Sequence, residues 1–438
     1  MITWSELSNE AKREALSRPA MKDNQKLKKT VEDIIRAVRA KGDAAVLSFT
    51  QDFDCSTLTA LALSQGKLSQ LADAVSQEVK AAIDTAYDNI KRFHDAQQPE
   101  SITLTTTTGV TCEQHFAALD AVGLYIPGGS APLPSTALML GIPALVAGCE
   151  RKVLCTPPNS EGLIAPEIAY VARKCGISEV YLCGGAQAIA AMAFGTDTIT
   201  KVDKIFGPGN SFVTEAKQQV SLTADGAAID MPAGPSEVLV LADNTARPDF
   251  VASDLLSQAE HGPDSQAILV SDDADLIEKV KAEVKNQLAL LSRGAIASEA
   301  MENARYILTR DINEAIEVSN QYAPEHLIVQ VNEPREALKR IKHASSVFLG
   351  PWTPESAGDY ASGTNHVLPT YGYARNYSSL GLLDFMRRYT VQQLTEDGMR
   401  QLGPTIMTLA EAEGLDAHKK AVALRMDVLT SQEDSDNE

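Results

Sequence analysis

The chain has 438 residues, 44% hydrophobic and 22% charged, which is typical of a soluble globular protein of about three domains. Its formal net charge of −19 argues against a nucleic-acid or membrane-surface partner, because both require a basic surface. The sequence contains no run of about 18 apolar residues, so no membrane span is predicted. It has six cysteines but no C-x-x-C pair, which predicts reduced thiols in a cytoplasmic protein.

The first 120 residues show helical patterns without the rhythm of an α/β domain. Residues 1–28 are polar and predict an arm or a small N-terminal element. Apolar residues recur at helical spacing over 31–38, and residues 69–97 predict one long, mostly polar helix. This part of the chain therefore does not close a sheet of its own.

From residue 121 onwards, short apolar strands alternate with glycine turns and helices. Strands are predicted at 121–126, 152–156, 179–183, 204–206, 237–242, 266–271, 306–308, 327–331 and 346–349. Helices are predicted at 134–148, 162–175, 186–194, 211–222, 247–261 and 274–291. Such alternation is typical of parallel α/β domains.

The rhythm predicts two α/β domains, one inserted in the other. The first is discontinuous, over 29–120 and 237–385, and the second covers 121–236. Residues 351–385 are predicted to be rich in loops, and 390–429 to be helical within a C-terminal segment, 386–438. The acidic residues 431–438 predict a frayed tail.

Three of the seven histidines lie in dense polar clusters, the first around Gln258 and His261. These two are three residues apart on a predicted helix, so they share a face. Imidazole and amide oxygen are possible zinc ligands. A histidine at a helix C-terminus also has a purely structural interpretation, since it interacts with the helix dipole.

The second cluster is the pair Glu325 and His326, directly before the strand 327–331. The carboxylate could activate water and the imidazole could accept a substrate proton. A solvated polar loop is the alternative interpretation.

The third cluster is Glu413 and His418, five residues apart on a predicted helix. In the loop-rich region Asp359 is a candidate metal ligand and His366 a candidate substrate contact. Taken singly, each of these residues is more often simply part of a turn or of a polar helix end.

Three glycine turns are candidate cofactor sites, at 127–129, 184–187 and 207–210. A helix N-terminus with small residues can receive a pyrophosphate. No G-x-G-x-x-G follows a strand, so the usual dinucleotide fingerprint is absent. Nucleotide binding and plain tight turns both remain open on these residues.

Five blocks in order resemble the histidinol dehydrogenase family over nearly the whole chain, namely 206–217, 230–238, 258–266, 322–327 and 377–385. The resemblance implies NAD-dependent oxidation of L-histidinol through L-histidinal to L-histidine in histidine biosynthesis, with two NAD and one zinc ion per active site. It also implies two incomplete Rossmann-like domains and an intertwined homodimer whose active sites are shared between subunits.

The resemblance further implies residue roles. Glu325 and His326 match the proton-transfer pair. The implied zinc ligands are Gln258, His261, Asp359 and His418; the implied substrate contacts are these four with Ser236, His326, His366 and Glu413; the implied NAD contacts are Tyr125, Gln187 and Asn210. His418 and Glu413 are expected to act across the dimer interface.

Three alternatives remain open. A dehydrogenase of the same family could act on another polar alcohol. A zinc hydrolase could use Glu325 as its base and form no NADH. A non-enzymatic metal-binding or scaffold protein would leave the Glu325–His326 pair and the glycine turns unexplained.

Overall fold

The computed structural model describes residues 1–18, 25–128, 132–232 and 234–436. Residues 19–24 of the predicted arm and Gly129 of the first glycine turn lie outside this range. The chain divides into two compact units, unit 1 with Met1–Gln97 and Leu119–Phe385, and unit 2 with Gln98–Ala118 and Met386–Glu438. Within the described range, no helix is both long and apolar enough to cross a membrane.

The strands of the described residues are β1 (Ile2–Thr3), β2 (Ile102–Thr107), β3 (Val110–Ala118), β4 (Ala121–Tyr125), β5 (Arg151–Thr156), β6 (Glu179–Leu182), β7 (Lys204–Phe206), β8 (Ala228–Ile229), β9 (Glu237–Ala242), β10 (Gln266–Ser271), β11 (Arg305–Leu308), β12 (His326–Gln330), β13 (Ser346–Leu349) and β14 (Met386–Leu394).

The α-helices of the same residues are α1 (Asn9–Ala15), α2 (Gln25–Lys41), α3 (Asp43–Phe53), α4 (Gln65–Ala74), α5 (Gln77–Asp95), α6 (Pro134–Ala147), α7 (Pro166–Lys174), α8 (Gly185–Phe194), α9 (Ser211–Ser221), α10 (Pro248–Ala259), α11 (Ala274–Leu288), α12 (Gly294–Glu302), α13 (Ile312–Tyr322), α14 (Pro334–Leu338), α15 (Glu355–Tyr360), α16 (Glu396–Ala412) and α17 (Asp416–Asp436).

Unit 1 contains two parallel sheets with the same core topology. The five-stranded sheet has the order β6-β5-β4-β7-β8, and the six-stranded sheet has the order β1-β11-β10-β9-β12-β13. All of their strand pairs are parallel. In the five-stranded sheet, β4 lies in the middle, with β5 and β6 on one side and β7 and β8 on the other. In the six-stranded sheet, β9 has the same place, with β10 and β11 on one side and β12 and β13 on the other. The predicted parallel α/β class is confirmed.

The six-stranded sheet is covered on both faces, which explains its uninterrupted apolar strands. Side chains alternate along β9, so Val238 and Val240 join a core cluster with α10 and α11. Leu239 and Leu241 point the other way and join a second cluster with α13. Burial on both faces fixes the register and therefore the position of the strand ends.

Helices α2 to α5 pack against α6 to α9, the helices of the five-stranded sheet. The buried side of α2 faces α8, whose residues 186–193 are all buried. These helices therefore contact the domain predicted for 121–236, whereas the predicted domain boundaries place residues 29–120 with 237–385. The domain boundaries themselves stay a prediction.

Unit 2 consists of an antiparallel sheet, β14-β3-β2, and the paired helices α16 and α17. The prediction of helix over 390–429 is wrong for β14, whose Tyr389-Thr390-Val391 core is rich in strand-forming residues. The predicted frayed tail is also wrong in part, because α17 continues to Asp436.

One further prediction needs correction, the single helix over 69–97. The chain instead forms α4 and α5, which are separated at Ser76. The Ser76 hydroxyl accepts a hydrogen bond from the Val79 amide at 3.3 Å and so starts a new helix.

Candidate active site

Two neighbouring cavities in unit 1 contain most of the candidate residues. The histidine cavity, about 1160 Å³, is lined by His261, His326 and His366 together with Ser236, Glu325 and Asp359. The tyrosine cavity, about 1080 Å³, is lined by Tyr125, Gln187 and other residues of the five-stranded sheet's loops. Pro127 and Asn210 line both cavities, so the two spaces share a wall.

The two sheets contribute opposite strand ends to these cavities. The five-stranded sheet contributes the loops that follow the carboxyl ends of β4 and β7. The strand order changes direction between these two strands, which is where a Rossmann-like sheet is expected to bind its ligand. From the six-stranded sheet come the amino ends of β9 and β12, with Ser236 before β9 and His326 at the start of β12.

Glu237, the first residue of β9, holds both members of the candidate proton-transfer pair. Its backbone N–H donates to Oε2 of Glu325 at 2.8 Å. Its carbonyl oxygen lies 3.0 Å from Nδ1 of His326. Because β12 starts at His326, one residue earlier than predicted, and pairs in register with Val238, the sheet itself fixes these distances.

His326 is held as a neutral base. Burial lowers the pKa of its imidazole to about 3, so the ring carries one proton near neutral pH. The contact with the Glu237 carbonyl requires that proton on Nδ1. Nε2 is therefore the unprotonated nitrogen. It is buried, has no hydrogen-bond partner among the described residues, and lies 3.8 Å from Oδ1 of Asp359.

The carboxylate Glu325 lies beside the imidazole, with Oε2 3.7 Å from Nδ1 of His326. Burial raises its pKa well above the ordinary value, although the Glu237 N–H opposes this effect. A higher pKa makes the ionised carboxylate a stronger base. The pair thus combines an imidazole ready to accept a proton with a carboxylate of increased basicity.

Gln258 lies in the last turn of α10, whereas His261 lies in the turn that follows the helix, so the prediction that both residues are on the helix is correct only for Gln258. The Gln258 amide nitrogen contacts Nδ1 of His261 at 2.9 Å, and its Oε1 is buried with no hydrogen-bond partner in the part of the chain that the structure describes. Burial lowers the pKa of His261, which keeps its imidazole neutral. An orphaned amide oxygen next to a neutral imidazole is a donor set that fits a metal ion.

Asp359, on the short helix α15, offers a carboxylate to the same cavity. Burial raises its pKa to about 7, so a nearby cation would compensate its charge. His326, Glu355 and Asp359 also form a cluster that could hold a metal. Glu355 faces Nδ1 of His326 at 3.6 Å, whereas Asp359 faces Nε2, so the two carboxylates lie on different edges of the ring.

His366 and Ser236 also line the histidine cavity. Nδ1 of His366 donates to the Asp359 carbonyl at 2.9 Å, so Nε2 is the acceptor that faces the Thr136 hydroxyl at 3.4 Å. Burial lowers the pKa of this imidazole to about 4. Glu413 and His418 belong to unit 2, where both are exposed.

The candidate cofactor contacts Tyr125, Gln187 and Asn210 line the tyrosine cavity, and Asn210 also lines the histidine cavity. The Tyr125 hydroxyl accepts from the Gly185 N–H at the start of α8, at 3.2 Å, and burial raises its pKa, so it stays protonated. Gln187 is buried in the first turn of α8. The side-chain oxygen of Asn210 caps α9 through the N–H groups of Phe212 and Val213, which leaves its NH₂ group to donate to a ligand.

Glu237, Glu355 and Thr136 are site residues that were not predicted from the sequence. Glu355 was detectable in principle, because it precedes Asp359 by four residues and so shares its helix face. Glu237 acts through backbone groups and Thr136 lies on an apolar helix, so neither leaves a residue-type signal.

Comparison with known proteins shows the family to which the chain belongs. Residues 16–426 match the family model described as histidinol dehydrogenase. The chain is 55% identical to a histidinol dehydrogenase of Vibrio parahaemolyticus, over 98% of this chain and 99% of that protein. It is 55% identical to one of Yersinia pestis, over 98% of this chain and 96% of that protein. The crystal structure of the histidinol dehydrogenase from Elizabethkingia anophelis superposes with a TM-score of 0.93, at 47% identity over 98% of both chains.

Two parallel sheets and a buried carboxylate–imidazole pair fit an α/β enzyme, and the family match makes it an oxidoreductase. The chain belongs to the histidinol dehydrogenase family.

Proposed function

We propose that this protein oxidises L-histidinol through L-histidinal to L-histidine, in two steps that each reduce one NAD, as part of histidine biosynthesis. The observation that carries the proposal is the unpartnered Nε2 of the neutral His326, buried beside Glu325 in a cavity that adjoins a second one. The names of the Vibrio and Yersinia relatives support the same substrate.

Zinc and NAD are the cofactors that we propose. Gln258, His261 and Asp359 would hold the zinc ion, together with His418 of a second subunit, and the ion would orient the substrate by its imidazole and amine nitrogens. The orphaned Oε1 of Gln258 supports this assignment. NAD would lie in the tyrosine cavity against Tyr125, Gln187 and Asn210 and would accept a hydride in each step.

In the first oxidation, Nε2 of His326 accepts the proton of the substrate hydroxyl as the hydride leaves the adjacent carbon. The Nδ1–H bond to the Glu237 carbonyl keeps the ring in the tautomer that this transfer requires. Ser236 and His366 line the same cavity and would position the substrate.

In the second oxidation, the ionised Glu325 takes a proton from water as the water oxygen adds to the aldehyde carbon, and the protonated His326 returns its proton to the aldehyde oxygen, which gives the neutral hydrate. His326, neutral again, then accepts one hydroxyl proton of the hydrate as the second hydride leaves, and Glu325 releases its proton to solvent. Burial of both side chains supports retention of the reactive aldehyde, because it limits the entry of bulk water.

We also propose an intertwined homodimer in which Glu413 and His418 complete the partner's site. Both residues are exposed in unit 2, which leaves them available to a second subunit. Unit 2 also exposes large apolar side chains that a partner would cover, at Ile102, Leu104, Leu409, Leu424 and Val428.

The free thiols of the six cysteines support the cytoplasm as the compartment of this protein.

The test is NADH formation from L-histidinol and NAD, followed by absorbance with and without a zinc chelator. We expect two NADH per histidinol consumed, and loss of the activity with chelator that added zinc restores. A panel of other polar amino alcohols tests the substrate. If another alcohol is turned over faster, that alcohol is the substrate and histidinol is not. If no alcohol gives NADH, the proposal is refuted.

A further inference from the structure

Arg18 makes an unusually complete set of contacts, although it belongs to the N-terminal arm. Its Nε and Nη2 donate to the two carboxylate oxygens of Glu237 at 2.6 and 2.9 Å. Nη2 also donates to the carbonyl of Tyr322 at 2.9 Å, and the guanidinium lies 4.0 Å from the centre of the Tyr322 ring. The side chains of Arg18 and Glu237 are 10% and 3% exposed, so water screens this ion pair little.

These contacts fix the two chain segments that carry the proton-transfer pair. Glu237 holds Glu325 through its N–H and His326 through its carbonyl. The Tyr322 carbonyl lies at the end of α13, three residues before Glu325. Arg18 therefore binds the start of β9 and the turn that leads into β12 at the same time.

The turn into β12 is one that the backbone does not favour by itself. Ala323 has φ 55° and ψ 69°, in the left-handed region that residues other than glycine rarely adopt. Nη2 of Arg18 also lies 3.4 Å from the Ala323 carbonyl. An external donor at this turn compensates for the strain and for the unpaired carbonyls at the helix end.

We propose that Arg18 is a positioning residue for Glu325 and His326, acting through Glu237 and through the Tyr322–Ala323 turn. Arg18 is absent from the described residues that line either cavity, so it makes no contact with a ligand there. The inference rests on the roles proposed above for Glu325 and His326. A bidentate, stacked guanidinium suits this role, and lysine would supply only a point charge.

The first test is steady-state kinetics of Arg18→Gln and Arg18→Lys, expressed per folded molecule from circular dichroism. A misplacement of about 1 Å can cost on the order of 100-fold, so we expect kcat of Arg18→Gln to fall by roughly that factor. KM for histidinol and NAD should change by less than about threefold, because the binding residues stay in place. Arg18→Lys should lie between Arg18→Gln and the wild type.

The matched control is Arg247→Gln, which removes another bidentate arginine–carboxylate pair, with Asp249 on the surface of the same unit. It should leave kcat unchanged. Glu237→Gln should lower kcat as Arg18→Gln does, and the double variant should lose less than the product of the two factors, because both act on one contact.

A second measurement does not depend on the substrate. In protein labelled with ¹⁵N-histidine, NMR should show His326, assigned with His326→Gln, as the Nδ1–H tautomer, and Arg18→Gln should shift or broaden that signal. An unchanged His326 signal, or wild-type kcat per folded molecule, would overturn the positioning role. If the wild type forms no NADH from histidinol, the proposed function fails, and the NMR result still decides the role of Arg18.

Discussion

The turn at Gly207 offers a sharp test, because an added methyl group has no space there. Gly207 has φ +123°, and a Cβ atom would lie 2.2 Å from the backbone oxygen of Tyr125. That is 0.8 Å short of the 3.0 Å that real Cβ atoms keep, and the obstacle is backbone. Gly207 itself cannot yield easily, since Asp230 accepts from its N–H at 2.8 Å and Lys217 donates to its carbonyl at 2.9 Å.

In Gly207→Ala the end of β4 or the turn must therefore move by about 1 Å. Such a displacement costs on the order of 100-fold when it affects reacting groups, and the strained φ adds about 1 to 3 kcal/mol of destabilisation. Tyr125 and Asn210 lie on either side of the displaced turn, so we expect the loss mainly in kcat/KM for NAD.

The assay is steady-state kinetics with NAD as the varied substrate, beside calorimetric NAD binding. Gly176→Ala is the matched control, because Gly176 also has a positive φ, +63°, yet no atom lies within 4 Å of its added Cβ. The control should lose about 1 kcal/mol of stability and no activity. If folded Gly207→Ala binds and uses NAD like the wild type, the steric argument is wrong.

Three further outcomes are expected. Glu355→Gln should lower kcat roughly 10- to 100-fold without loss of zinc by metal analysis, since its carboxyl lies 3.6 Å from Nδ1 of His326; unchanged kcat would exclude a role. Burial raises the pKa of Asp54, which lines the tyrosine cavity, to about 6, so its carboxyl group becomes negatively charged as the pH rises through 6. Calorimetric titrations should therefore show that NAD affinity falls over this pH range. The Asp54→Asn variant should show no such fall. Mixing inactive His418→Asn and His261→Asn proteins should restore part of the activity through hybrid dimers; no recovery after demonstrated subunit exchange would contradict shared sites.

The central strands of the parallel sheets could be predicted well because they are buried on both faces. The strands Glu237–Ala242, Gln266–Ser271 and Ser346–Leu349 have the predicted bounds, since continuous apolar runs between glycine turns leave few alternatives. The strand β14 was missed because it is mostly exposed and lacks an apolar run. Its pairing with β3, far away in sequence, leaves no local signal.

The candidate site could be predicted only in part, and for a physical reason. Histidines, carboxylates and amides can be recognised by residue type and spacing, as were Gln258 on α10 and His261 just after it. The backbone groups of Glu237 and the contact from Arg18 depend on which strand ends the fold brings together. Such supporting contacts become visible only in three dimensions.

The use of opposite strand ends by the two sheets has a consequence for redesign. The loops that line the tyrosine cavity follow the five-stranded sheet, whereas the proton-transfer pair starts a strand of the six-stranded sheet. Residues of these loops and residues around the proton-transfer pair share few direct contacts. The free-energy effects of substitutions in the two places should therefore be nearly additive. Pro127 and Asn210, common to both cavities, are the positions where a changed cofactor preference and a changed substrate preference would interfere with each other.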